Sequence, residues 1–211
     1  MPNSRMIRWA GLALAGGGAL TFLINAALTP ALLSHAPFAQ TAASSLFLWR
    51  QSASALAAAL LLFGAVGVYV CQADRLGAGG LLAFVMSLLG SSLLLATEWT
   101  EIFLVRTLAV RAPDALNALD SGHGMNFYDI GSMAALSLFM LGWLAMATAS
   151  IKAGVLARGA AGLVIAGLFA IPLLSAALRM PWGPIAGNAI LGAGWVWMGL
   201  EVRRRAGPAP R

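Results

Sequence analysis

Six stretches of mostly apolar residues, roughly 9–30, 50–70, 79–104, 130–150, 159–178 and 185–202, run through this sequence, each bounded by charge, proline or glycine. A helix crossing a bilayer needs about 20 such residues, so each stretch reads as one crossing. The runs are continuous, whereas the strands of a membrane barrel alternate over about ten residues, so helices are expected. Composition agrees: 60% of the 211 residues are hydrophobic and 9% charged. A soluble domain carries about 25% charge, and a core of this size cannot hide the surplus apolar surface. Disordered chains are apolar-poor and charge-rich, which excludes that class too. The expected fold is all-α, a polytopic bundle of six transmembrane helices forming one domain over 1–211.

The net charge is +6, from thirteen basic residues, of which Lys152 is the one lysine, against seven acids. Basic residues gather at the ends of the apolar stretches, with a run at Arg203, Arg204 and Arg205. Short cytoplasmic loops are enriched in Lys and Arg, so membrane orientation explains the charge and no nucleic-acid partner is expected. With the N-terminus inside, nine basic residues fall on cytoplasmic segments and four (Arg50, Arg106, Arg111, Arg179) on outer ones. Both termini are therefore placed inside. Trp49, Trp99, Tyr128 and Trp182 then form an outer aromatic belt, with Trp9 and Tyr69 near the inner rim. The first apolar run exceeds the 7–15 residues of a signal-peptide core and reads as a retained helix. Arg75-Leu-Gly-Ala-Gly-Gly and Arg158-Gly-Ala-Ala-Gly open the third and fifth helices alike, suggesting a repeated hairpin, helices 2–3 and 4–5. Gly162-Ala166-Ala170, Ser87-Ser91 and Gly183-Gly187 have small-residue spacing that lets helices approach closely.

Polar residues concentrate at the outer ends. At about 1.5 Å per residue, Glu98 lies about 28 Å from Gly79 across a core of about 30 Å, with Glu101 one turn further on the same face. A hairpin turning near Arg75 brings Arg50 level with both glutamates, and one turning near 154–155 brings Asp129 level with Arg179. Arg106 is a poorer partner for Glu101, because i,i+5 lies about 140° round the helix. Asn25 and Asn188 occupy the outer halves of helices 1 and 6. The inner halves offer no ionisable residue, only Tyr69, Trp143, Thr148, Trp195, Trp197 and a few serines. In the outer segment 106–129, Ala112-Pro113-Asp114 reads as a helix start, with Leu116 and Leu119 as its apolar face and Ser121-Gly122-His123-Gly124 as a turn.

Chemistry is sparsely encoded. Cys71 is the one cysteine, so neither a disulfide nor a cysteine metal site can form within the chain. His35 and His123 both fall in or near loops, which leaves no pair of intramembrane haem ligands. His123 with Asp120 and Asp129 lacks dense ligand spacing, so no metal and no cofactor is expected. Neither a Gly-x-Ser-x-Gly elbow nor a His-Glu-x-x-His helix is present.

Trp49-Arg50-Gln51, Gly67-Val68-Tyr69, Arg75-Leu76-Gly77, Glu98-Trp99, Ala112-Pro113-Asp114 and Leu141-Gly142-Trp143 together resemble a group of uncharacterised six-helix bacterial inner-membrane proteins. The resemblance implies a bacterial plasma membrane and carries no activity to transfer. Intramembrane ionisable residues are a functional hypothesis by default. The expected function is therefore binding of a small molecule, ion or lipid headgroup in an outward-facing polar mouth built from Glu98, Glu101, Arg50, Asp129, Arg179, His123, Asn25 and Asn188. Competing accounts are a rim salt-bridge network that only sets helix register, an accessory subunit docking on a membrane-protein partner through glycine-rich faces, and an enzyme acting on an outer-leaflet substrate.

Overall fold

The structure, a computed structural model, describes residues 4–32, 36–120, 126–178 and 180–207. Five helices are long and apolar enough to cross a membrane: Ser4–Leu32, Ser45–Arg111, Phe127–Ala153, Arg158–Ala177 and Trp182–Arg205. We label Ser4–Leu32 α1; it contains a π-helical turn at Ile24–Leu28. A short helix, α2 (Phe38–Ala43), follows. Ser44 then caps the next helix, its hydroxyl accepting from the Phe47 amide at 3.1 Å.

The 67-residue helix absorbs two of the expected apolar stretches, and Gly77 (φ 59°, ψ −165°) breaks it into α3 (45–76) and α4 (78–111). Were it straight, Tyr69 and Phe84 would lie about 22 Å apart along the axis. Instead their rings stack at 4.5 Å and 17°, so the chain reverses at Gly77 and α3 lies against α4. That backbone conformation is essentially open to glycine alone. Gly77→Ala should therefore lower stability by about 1–3 kcal/mol, read as a fall in Tm in detergent. Gly79→Ala, at an ordinary helical position with nothing within 4 Å of the new Cβ, should leave Tm unchanged or raised.

Beyond α4 come α5 (Pro113–Asp120), α6 (Phe127–Ala153), α7 (Arg158–Ala177) and α8 (Trp182–Arg205). Pro113 opens α5, where its missing N–H costs nothing. The Asn126 side chain accepts from the Asp129 amide at 2.9 Å while Asp129 accepts from the Asn126 amide at 3.2 Å, a reciprocal cap that starts α6. Gly154, left-handed at φ 64°, ends it.

The long helices form a ring in which glycines set the approach. Gly64 and Gly67 of α3 meet Leu14 and Ala10 of α1, and Gly90 of α4 meets Phe139 of α6. Gly142 of α6 meets the Ser87 backbone, Gly167 of α7 meets Leu191 of α8, and Gly11 and Gly18 of α1 meet Gly199 and Gly192 of α8. The first and last helices thus close the ring. At its centre Trp143 and Trp195 meet edge to face at 5.3 Å, walled by Met146, Met198, Leu14 and Leu61, all buried. Large apolar side chains such as Leu82, Leu93, Leu141 and Leu173 point outward, along with Trp9, Trp49, Trp99 and Trp182. Tyr69, expected near the inner rim, stacks on Phe84 close to the Gly77 turn.

All the long helices but α7 run past their apolar stretches, because backbone bonding continues where hydropathy stops. This lengthening builds a cap at one end. Ala39 and Ala42 of α2, Phe47, Val105 and Ala109 of α3 and α4, and Leu116 of α5 form a second small core. The Asn117 side chain accepts from the Ala39 amide at 2.9 Å, and Arg106 donates to the Ser44 carbonyl at 2.7 Å. The helix expected from Ala112-Pro113-Asp114 is present, with Leu116 inside the cap and Leu119 left exposed.

Candidate functional site

Below the cap, α3 and α4 bring Arg50, Gln51, Glu98 and Glu101 together. Arg50 lies near both carboxylates, and Glu98 lies beside Gln51 and Glu101. Yet Arg50 forms no ion pair within 4.0 Å of either glutamate. Its guanidinium donates to the Gln51 side-chain oxygen and, at 3.5 Å, to the Thr29 hydroxyl of α1. Gln51 is fully buried, and its Nε2 has no hydrogen-bond partner among the described residues; neither has the buried Glu98 Oε2. Buried polar groups are paired in the great majority of native structures, and the Gln51 amide is the group placed to hydrogen-bond the Glu98 carboxylate. Glu101 is held differently. The Tyr128 hydroxyl of α6 donates to its Oε1 at 2.9 Å, and Ser132 hydrogen-bonds Tyr128 in turn.

Two π-helical turns flank this cluster, Ile24–Leu28 in α1 and Glu101–Val105 in α4. Such turns shift the helix phase and recur at functional sites. Here one begins at Glu101 itself, and the other ends immediately before Thr29, the Arg50 partner.

A cavity of about 400 Å³ opens beside the cluster under the cap. Its walls are Leu104, Val105 and Leu108 of α4, Leu116 and Leu119 of α5, Phe38 of α2 and Phe127 of α6. Thr100, Asn126, Tyr128 and Asp129 supply the polar edge. Tyr128 therefore faces the cavity and also holds Glu101.

The other expected site residues stand apart. Asn25 donates to the Thr21 carbonyl and Asn188 to the Pro184 carbonyl, both at 2.9 Å within their own helices. Asp129 is engaged with Asn126 in the α6 cap and borders the cavity. Its expected partner Arg179 lies outside the described residues, and so does His123. Among the described residues no group of three or more His, Cys, Asp or Glu side chains could hold a metal ion.

Two polar residues escaped the sequence reading. Gln51 sits inside the second apolar stretch but was hidden by its charged neighbour Arg50. Gln72 lies past the expected end of that stretch, yet α3 continues to 76 and buries it at 2% exposure, with its Nε2 donating to Ser150 Oγ at 2.7 Å. The inner half of the bundle is thus less apolar than expected. The i,i+4 and i,i+7 relations of Gln72 to Val68 and Ala65, both core-facing, were the available signal.

The small-residue sets are largely used inside the ring. Ser87 and Ser91 face α6, where Trp143 Nε1 donates to Ser91 Oγ at 3.3 Å, and Gly183 and Gly187 meet α7. The Gly162-Ala166-Ala170 set is the exception: Gly162 has nothing within 4 Å of a Cβ and Ala166 is exposed. No protein-family model, curated protein or solved structure matches the chain.

Proposed function

We propose that this chain is a six-span protein of the bacterial inner membrane, with both termini cytoplasmic, that binds a cationic small molecule or lipid headgroup in its outer mouth. The reversal at Gly77 supports six crossings, and nine inner against four outer basic residues support the orientation. The pairing of Arg75 and Arg158 near the two inner turns fits the repeated hairpin.

The observation that carries the binding reading is that Arg50 makes no ion pair with Glu98. Two carboxylates beside one guanidinium leave an excess negative charge, and the guanidinium is turned to Gln51 and Thr29 instead. A network built only to fix helix register would close its ion pairs, because truncated or unmatched buried charge is costly. Docking through small-residue faces is left to the Gly162-Ala166 face of α7, since Ser87, Ser91, Gly183 and Gly187 meet their partners within the ring.

Ethanolammonium binding to the chain in phosphatidylcholine nanodiscs tests the reading by calorimetry. Glu98→Gln with Glu101→Gln should weaken binding by about thirtyfold or more, the size of losing a close charge pair, with membrane accumulation unchanged. Arg50→Gln removes the opposing charge and should tighten it. Failure of the double variant and of Arg50→Ala alike to accumulate would return the cluster to a structural role.

A further inference from the structure

We infer that the cavity under the cap holds the alkyl chain of a single-chain amphiphile whose ammonium head lies at the Asp129, Tyr128 and Glu101 edge; this deepens the mouth reading and rests on it. Three observations converge. First, the cavity, about 400 Å³, lies within the range of ligand pockets, about 300–1,000 Å³. Its long walls are leucine and phenylalanine, so what fills it must be apolar over most of its length.

Second, the charge at its edge has one sign. In a chain of net charge +6, Asp129 is the one ionisable carboxylate among the described lining residues, and neither lysine nor arginine is among them. Glu101 stands one hydrogen bond behind the edge, through the Tyr128 hydroxyl at 2.9 Å. An anionic head placed there would meet Asp129 and Glu101, while Arg50, near Glu101, is turned to Gln51 and Thr29. An ammonium head would be complemented by both carboxylates, with the aromatic face of Tyr128 alongside.

Third, the level is right for entry from lipid. Leu104 lies 25 residues beyond Gly79, about 38 Å along α4, which is about 8 Å beyond a hydrocarbon core of about 30 Å and at the outer limit of the headgroup layer on that side. The cavity therefore opens where single-chain amphiphiles partition.

The test uses the full chain in phosphatidylcholine nanodiscs and three probes with the same diazirine-bearing dodecyl chain, one ending in ammonium, one in sulfate and one in hydroxyl. Crosslinks are mapped by peptide mass spectrometry. The ammonium probe should label 104–119 and Phe127 about tenfold more than either other probe, the ratio of one charge-assisted contact. Leu104→Trp, at a half-exposed wall position, should narrow the cavity and lower that labelling while ethanolammonium still binds at the mouth. Asp129→Asn should bring ammonium and hydroxyl probes to equal labelling. Equal labelling by sulfate in the unaltered chain, or labelling indifferent to Leu104→Trp, overturns the inference. Ethanolammonium binding without selective labelling overturns this inference alone, whereas loss of both overturns the mouth reading as well.

Discussion

Gly142→Val should detach α6 from α4 and cost about 3 kcal/mol, the upper end of ordinary overpacking. The Cβ alone would stand 2.5 Å from the Ser87 amide nitrogen and Cα. Those are backbone atoms, which cannot swing aside as a side chain can. The two helices must separate, and the bond from Trp143 to Ser91 separates with them. The expected readout is a large fall in Tm and loss of a monodisperse peak after detergent extraction. Gly131→Val, on the same helix with open space around the new Cβ, should extract and melt like the parent. Equal behaviour of the two variants would show that close approach at Gly142 is not what seats α6.

Trp143→Ala should rank next. Trp143 and Trp195 are both essentially inaccessible and meet at 5.3 Å. Removing a buried tryptophan in a soluble protein costs about 3–5 kcal/mol. In lipid the transfer contribution weakens, because the surrounding chains are as apolar as the core, so the cavity and lost contacts dominate and about 3 kcal/mol is expected. Near-ultraviolet circular dichroism should lose the coupled Trp143–Trp195 signal. Trp143→Phe keeps most of the volume and removes the donor to Ser91, so it should retain more than half of the stability. A Phe variant as damaged as the Ala variant would make the Ser91 hydrogen bond, rather than ring packing, the dominant contribution.

The long helices were legible because hydropathy encodes them directly, and the level of Arg50 with Glu98 and Glu101 followed from arithmetic about a hairpin. What hydropathy does not encode is where backbone bonding ends. That is why α3 reaches past Tyr69 to bury Gln72, and why α4 rises beyond the membrane far enough to meet α5. The short helix Phe38–Ala43 was invisible for another reason. Six residues carry too little periodicity to announce a helix, and this one persists by packing Ala39 and Ala42 against Leu116 and by the Asn117 bond. The choice of Arg50 for Gln51 and Thr29 over the glutamates lay beyond sequence reasoning too, since register fixes level but not which neighbour a long side chain selects.

Because α1 is sealed against α8 through Gly11 with Gly199 and Gly18 with Gly192, α1 waits for a partner that lies far later in the chain. Until the C-terminal helix is inserted, a glycine-lined flank of α1 borders lipid alone. Loss of α8 therefore uncovers the α1 and α7 surfaces together.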